Sequence, residues 1–185
     1  MTPATDDHHD GLPGHVLIWV LIASEILVFS VALVGFLVMR LLHADAFRSG
    51  AHLLHAGAGT MGMIVLLTSG YAAALAQDLS RKGSVAGARL RLLVAAALGL
   101  VFLVLKFAEY RDLWLQGVAL EGNPFFTLYA LITGFHAAHV VFGVALLTLV
   151  ATRPKPQHVE PSVAFWHMVD LVWVLVFPVL YLVPR

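Results

Sequence analysis

The sequence predicts an all-α polytopic membrane protein, a bundle of five transmembrane helices, and three observations carry that prediction. Hydrophobic residues make up 60% of the chain, charged residues only 12%, and the mean hydropathy is +0.88. A soluble domain holds roughly 45–50% apolar and about 25% charged residues. The apolar residues also fall into runs long enough to cross about 30 Å of hydrocarbon, which takes about 20 residues at ~1.5 Å rise. Backbone groups in lipid must bond within their own segment, so these runs are helices rather than open strands.

The expected helices cover Val16–Met39, Gly57–Gln77, Leu92–Leu113, Phe125–Ala151 and Val163–Val183. Residues 1–12 are polar, acidic and histidine-containing and read as a disordered tail. Residues 13–185 then form one transmembrane domain. His8 and His9 are adjacent tail residues, read as solvated rather than as a metal site. The first apolar run is too long, too far from the start and too acid-flanked for a cleaved signal peptide. It carries Ser24-Glu25 about 14 Å deep. A carboxyl at that depth is expected to be neutral and hydrogen-bonded to a neighbouring helix, or to be part of a proton relay.

The second helix is marked by small residues, Gly59, Gly62, Gly70 and Ala74, that permit close packing. In the third, Lys106 and Glu109 lie three apart on one face and can neutralise each other. They read as an ion pair that snorkels to the interface, with Tyr110 and Trp114 in the aromatic belt. The fourth helix carries His136 and His139 on one face, with Gly134 and Gly143 as small packing residues. The fifth carries Trp166, His167 and Asp170, the last two again on a shared face. Ionisable groups in hydrocarbon cost roughly 2.5–3.5 kcal/mol each on insertion scales, so they must be paired, inward-facing or hydrated. We expect a polar seam between the first, fourth and fifth helices built from Glu25, His139, His167 and Asp170. His136 is expected to act beside His139 as hydrogen-bonding helix glue.

Several functions are excluded or left open by the same residues. There are no cysteines, hence no disulfides and no thiolate-ligated metal or haem. Net charge is zero, which gives no electrostatic case for nucleic acid. No nucleophile–base pair or phosphate loop is present, and the short loops leave no room for a soluble catalytic domain. Three intramembrane histidines, His136, His139 and His167, leave open a small membrane cytochrome. Glu25 and Asp170 leave open a proton-coupled transporter, although no inverted repeat is visible. Arg81, Lys82, Arg89, Arg91, Arg153 and Lys155 fall on one side; Arg40, Arg48, Arg111 and Arg185 fall on the other. That bias places the N-terminus in the cytoplasm and the C-terminus outside.

The quoted motifs, taken in order, resemble subunit III of the haem-copper oxidase superfamily. They are Ser24-Glu25, Glu109-Tyr110, Phe125-Phe126, Thr133-Gly134-Phe135-His136, His139-Val140 with Gly143, and Phe165-Trp166-His167 through Asp170 to Trp173. The resemblance is to the short, five-helix branch. The Leu12-Pro13-Gly14 entry and the Phe177-Pro178 ending followed by Tyr181 are similar to the accessory E protein associated with nitric oxide reductase. His139 follows two alanines where many oxidase subunits carry a glycine after the first histidine. The resemblance implies a non-catalytic accessory subunit in the bacterial inner membrane, supporting assembly, stability and sustained turnover in respiratory electron transport. It implies that haem and copper belong to a partner catalytic subunit, of an oxidase or a nitric oxide reductase, and that this chain binds phospholipid. The glutamate matching Glu25 is the family's carbodiimide-reactive carboxyl. Glu25, His136, His139, His167 and Asp170 thereby become candidates for an interhelical polar and lipid-associated site, with no metal among them.

Overall fold

A computed structural model describes residues 16–118 and 122–183. The expected tail over residues 1–12 lies outside the described residues. The chain folds into α1 (Val16–Leu42), α2 (Ala44–Leu53), α3 (Ala56–Arg81), α4 (Val85–Leu115), α5 (Pro124–Thr152) and α6 (Pro156–Phe177). A five-residue π-turn follows at Pro178–Leu182. Among the described residues there is no strand, and α1, α3, α4, α5 and α6 are long and apolar enough to cross a membrane.

Helix ends follow local chemistry. Gly83 and Gly117 take left-handed φ values of 76° and 73°. Each closes its helix with paired turn bonds, Ser84 N–H to Leu79 O at 2.9 Å after α3 and Val118 N–H to Leu113 O at 3.1 Å after α4. Only glycine takes that backbone without a Cβ penalty. At the start of α5 the Asn123 side chain accepts from the Phe125 N–H at 2.9 Å, and Pro124 occupies the first helical position. Pro178 has no N–H to continue the α6 ladder, and the chain widens there into the π-turn, with Val183 N–H bonded to Pro178 O at 3.0 Å.

The five expected spans correspond to these helices, with three differences. An extra helix, α2, replaces the expected loop after the first span: Phe47 packs into the ring cluster of Phe36 and Phe125, while Asp45, Arg48 and His52 stay outside. Helix α4 starts at Val85 rather than Leu92, because Arg89 lies on the helix and uses its guanidinium on the end of α5. Its Nε donates to Ala151 O at 2.9 Å and its Nη2 to Thr152 O at 3.0 Å, satisfying two terminal carbonyls. Helix α6 starts at Pro156 rather than Val163, and its polar first turns are held by Glu160, which accepts from Arg81 Nε at 2.8 Å.

Helices α3, α4, α5 and α6 pack in a ring, and α1 lies along the groove between α5 and α6. Helices α3 and α6 run antiparallel through small-residue notches. Gly59 faces Phe177 and Tyr181, Gly62 faces Phe102 and Trp173, and Gly70 faces Asp170 and His167. Ala74, expected among these packing residues, is exposed instead. Trp166 is the deepest wedge. Its indole fills the gap left by Gly99 on α4 and Gly143 on α5, and its Nε1 donates to Ser69 Oγ on α3 at 3.0 Å. Ser69 in turn donates to Ala95 O at 2.7 Å, so one side chain ties four helices together. The outer face of α1 keeps an apolar stripe, Leu27, Val31, Val34 and Val38, exposed at helical spacing.

Candidate functional site

Among the described residues, the intramembrane ionisable groups form three separate assemblies rather than one seam. The first lies at the end of the bundle where α4 finishes. Lys106 Nζ donates to Glu109 Oε2 at 2.7 Å, to Tyr129 Oη at 2.9 Å and to Tyr181 Oη at 2.9 Å. Tyr181 Oη donates to the Glu109 carboxylate at 2.8 Å. Four rings, those of Tyr110, Tyr129, Trp173 and Tyr181, surround the ammonium at 4.9–5.5 Å from their centroids. Beside it Thr133 donates to Tyr129 O at 2.6 Å, so the short Tyr110–Thr133 contact is donated by the tyrosine.

The pair does not snorkel: both side chains are only 5% exposed. Partners on α5 and the π-turn keep it inside, because an ammonium can be buried when all three donors are satisfied and aromatic faces enclose it. With three donors in use, Lys106 offers none to a ligand. Tyr129 and Tyr181 were not among the expected site residues; the available signal is a phenol in an apolar helix, whose hydroxyl needs a partner when buried.

The second assembly joins α1 to α5. Glu25 Oε2 lies 3.0 Å from His139 Nε2, and His139 Nδ1 lies 2.8 Å from Phe135 O. A carbonyl oxygen only accepts, so Nδ1 carries a hydrogen. The neutral ring then presents a lone pair at Nε2, and its short contact with Glu25 requires one further proton between the two groups. The pair therefore holds a shared proton, on the carboxyl or as an imidazolium. Phe29, Phe135 and Phe165 pack around the imidazole at centroid distances of 4.6–6.5 Å.

The third assembly belongs to α5 and α6 against α3. His136 and His139 are three residues apart, yet the structure separates them. His136 is fully buried, stacked on Trp173 at 5.0 Å and edge-on to Phe102 at 5.6 Å, with no hydrogen bond at either nitrogen. It packs as a ring among rings and does not act as hydrogen-bonding glue. Asp170 does not join Glu25 as expected from the seam. Its carboxyl turns into the Gly70 notch, and His167 Nδ1 is 3.9 Å from its Oδ2.

Two cavities flank α1. One, of about 820 Å³, runs between α1, α5 and α6, with apolar walls that include Leu21, Phe142, Leu146 and Phe165 and with Arg153 and His158 at its end. The other, of about 370 Å³, runs between α1, α3 and α6 past Ile22, Gln77, Arg81, Glu160 and His167. The walls of the first are mainly apolar, with a few polar side chains among them.

Residues 5–184 match the family model described as cytochrome c oxidase subunit III. "Cytochrome c oxidase subunit 3" of Thermostichus vulcanus is 29% identical, over 98% of this chain and 94% of its own length. "Quinol oxidase subunit 3" of Bacillus subtilis is 24% identical, over 89% of this chain and 84% of its own. "Heme-copper oxidase subunit I+III" of Aeropyrum pernix is 28% identical over 89% of this chain, which covers 22% of that longer protein.

Proposed function

Because the chain belongs to the cytochrome c oxidase subunit III family, we propose that it is the non-catalytic accessory subunit of a haem-copper enzyme in respiratory electron transport, supporting that enzyme's assembly, stability and sustained turnover. It is a multi-pass membrane protein. The observation that carries the proposal is the state of its polar residues. Lys106 and Glu109 are consumed by their tyrosine partners, and His139 has both ring nitrogens engaged. His136 is enclosed by Trp173 and Phe102. Such groups fasten helices together. They favour the subunit reading over a small membrane cytochrome, since of the three candidate ligands His167 alone borders open space, and His136 and His139 offer no accessible nitrogen for a second axial position.

The partner is a catalytic subunit that carries haem and, in the oxidase case, copper. The relative in which subunits I and III are one polypeptide supports contact with subunit I. The exposed Leu27–Val38 stripe and the rest of α1 supply helix surface for that contact. The α1–α5–α6 cavity takes a phospholipid, its acyl chains against Leu146 and Phe165 and its head near Arg153 and His158. The Glu25–His139 pair lies further along the same helices and holds α1 in place beside that lipid. The six-to-four Lys/Arg bias supports the Arg81 face as cytoplasmic and the C-terminus as periplasmic in a bacterial inner membrane.

A second reading, an accessory role to a nitric oxide reductase in denitrification, rests on the Phe177-Pro178 ending with Tyr181 and on the Leu12-Pro13-Gly14 entry. Purifying the tagged chain in mild detergent separates the two, with co-purifying haem proteins identified by mass. A haem-copper oxidase subunit I supports the first, and a nitric oxide reductase catalytic subunit supports the second. Recovery without any haem protein from membranes that contain both would overturn the accessory role.

A further inference from the structure

Asp170 has no place in the role just proposed. It is buried near the middle of α6, about 21 Å along the helix from Pro156. Neither carboxyl oxygen has a hydrogen-bond partner. Its Oδ2 occupies the space that a Cβ on Gly70 would need, so the carboxyl is aimed at bare α3 backbone. A carboxylate without donors at this depth is costly, and a buried acid left in that state is explained by a bound proton, by water, or by both.

His167 stands between Asp170 and the α1–α3–α6 cavity. Its side chain is 47% exposed, against 7% for Asp170, and Nδ1 faces Oδ2 at 3.9 Å. The ring also lines the α1–α3–α6 cavity, which continues past Gln77 to the Arg81–Glu160 ion pair at the membrane face. One edge of the imidazole thus faces the carboxyl across 3.9 Å while the ring borders a cavity that is also lined by the Arg81–Glu160 pair. A small ring rotation or one water closes the remaining gap.

We infer that His167 and Asp170 form a proton-binding dyad, loaded from the membrane face that bears Arg81 and Glu160, with His167 as the doorway and Asp170 as the terminus. In the loading step a proton from water adds at His167 Nε2, and the hydrogen on Nδ1 passes to Asp170 Oδ2. The ring ends as its other neutral tautomer, and the carboxylate becomes a carboxylic acid. Unloading is the reverse.

Among the described residues, the surroundings contain no fixed charge that would replace the proton. On α3, Gly70 brings no side chain, Tyr71 is exposed, Asp78 is paired with Lys82, and Arg81 is paired with Glu160. On α1, Glu25 is bound to His139, and on α5 His136 is enclosed by Trp173 and Phe102. Gly70 closes the far side, so the dyad stores a proton rather than conducting one. Loss of the proton draws the carboxylate out of the notch toward His167 and the cavity, which links proton occupancy to α3–α6 packing.

The test is infrared hydrogen–deuterium exchange on the purified full-length protein carrying 13C-labelled aspartate. At neutral pH the parent shows a label-shifted protonated-carboxyl band that responds to D2O. Asp170→Asn removes the band. His167→Phe keeps it but slows its exchange by at least tenfold, because the doorway is blocked. Absence of the band in the labelled parent overturns the inference, as does equal exchange in the parent and His167→Phe. Should Asp170→Asn fail to fold, the isotope shift alone assigns the band to aspartate. His167→Phe, at a half-exposed cavity wall, then carries the rate test.

Discussion

Removing the Lys106 charge while keeping its stem gives the sharpest test of the packing account. In Lys106→Met the bonds to Glu109, Tyr129 and Tyr181 are lost together, at 2.7, 2.9 and 2.9 Å. Glu109 keeps the Tyr181 hydroxyl but loses its ammonium partner in a site that is 5% exposed. Breaking a buried pair from one side is destabilising by about 3–5 kcal/mol, because the surviving charge is uncompensated. At about 1.4 kcal/mol per tenfold, the unfolded fraction rises roughly 10²- to 10³-fold or more. Glu109→Leu is expected to fall in the same range for the mirror-image reason. The double variant Lys106→Met/Glu109→Leu leaves no charge, and Tyr129 and Tyr181 can still bond each other at 3.2 Å. Its cost should be less than that of either single change, giving a coupling of at least about 3 kcal/mol. The assay is reversible unfolding in mixed detergent–SDS micelles, followed by circular dichroism. If Lys106→Met lies within about 0.5 kcal/mol of the parent, or if the two single effects simply add, the buried-pair reasoning is wrong.

Other substitutions probe the remaining contacts in the same assay. Gly70→Ala drives a methyl group into the Asp170 carboxyl and should cost about 1–3 kcal/mol. Gly35→Ala on α1, with nothing within 4 Å, should be neutral or stabilising by up to about 1 kcal/mol. Ser69→Ala strands the buried Trp166 indole N–H and should cost about 1–3 kcal/mol. His139→Phe removes the α1–α5 bond, worth roughly 0.6–1.7 kcal/mol in membranes, and should increase thiol labelling of a cysteine placed at Phe29.

The spans were legible because hydropathy is a property of the whole run. Glu25 and His139 could be matched from sequence since both sit near the same depth on different helices, and they do meet. The direction of a side chain is another matter. Residues three apart differ by about 60° around a helix, enough to send His136 into the ring and His139 to α1. The i, i+3 spacing announced the Lys106–Glu109 pair, but the tyrosines that hold it inward come from segments 23 and 75 residues away from Lys106. Short α2 is amphipathic, but ten residues rich in polar side chains are too few and too polar to read as a span, and it is held by Phe47 against distant Phe36 and Phe125. The first turns of α4 and α6 read as loops because Arg89 and Glu160 are polar. Their partners, the end of α5 and Arg81, emerge only once the helices are side by side.

We propose that this chain fastens and supports a haem enzyme without holding any haem itself. The most direct measurement is haem content and turnover of the purified complex before and after this chain is stripped off with stronger detergent. The account predicts the same haem per catalytic subunit in both samples, with turnover that starts in the depleted enzyme and then decays faster. A haem released together with this chain, or an α-band in the isolated chain, would contradict it.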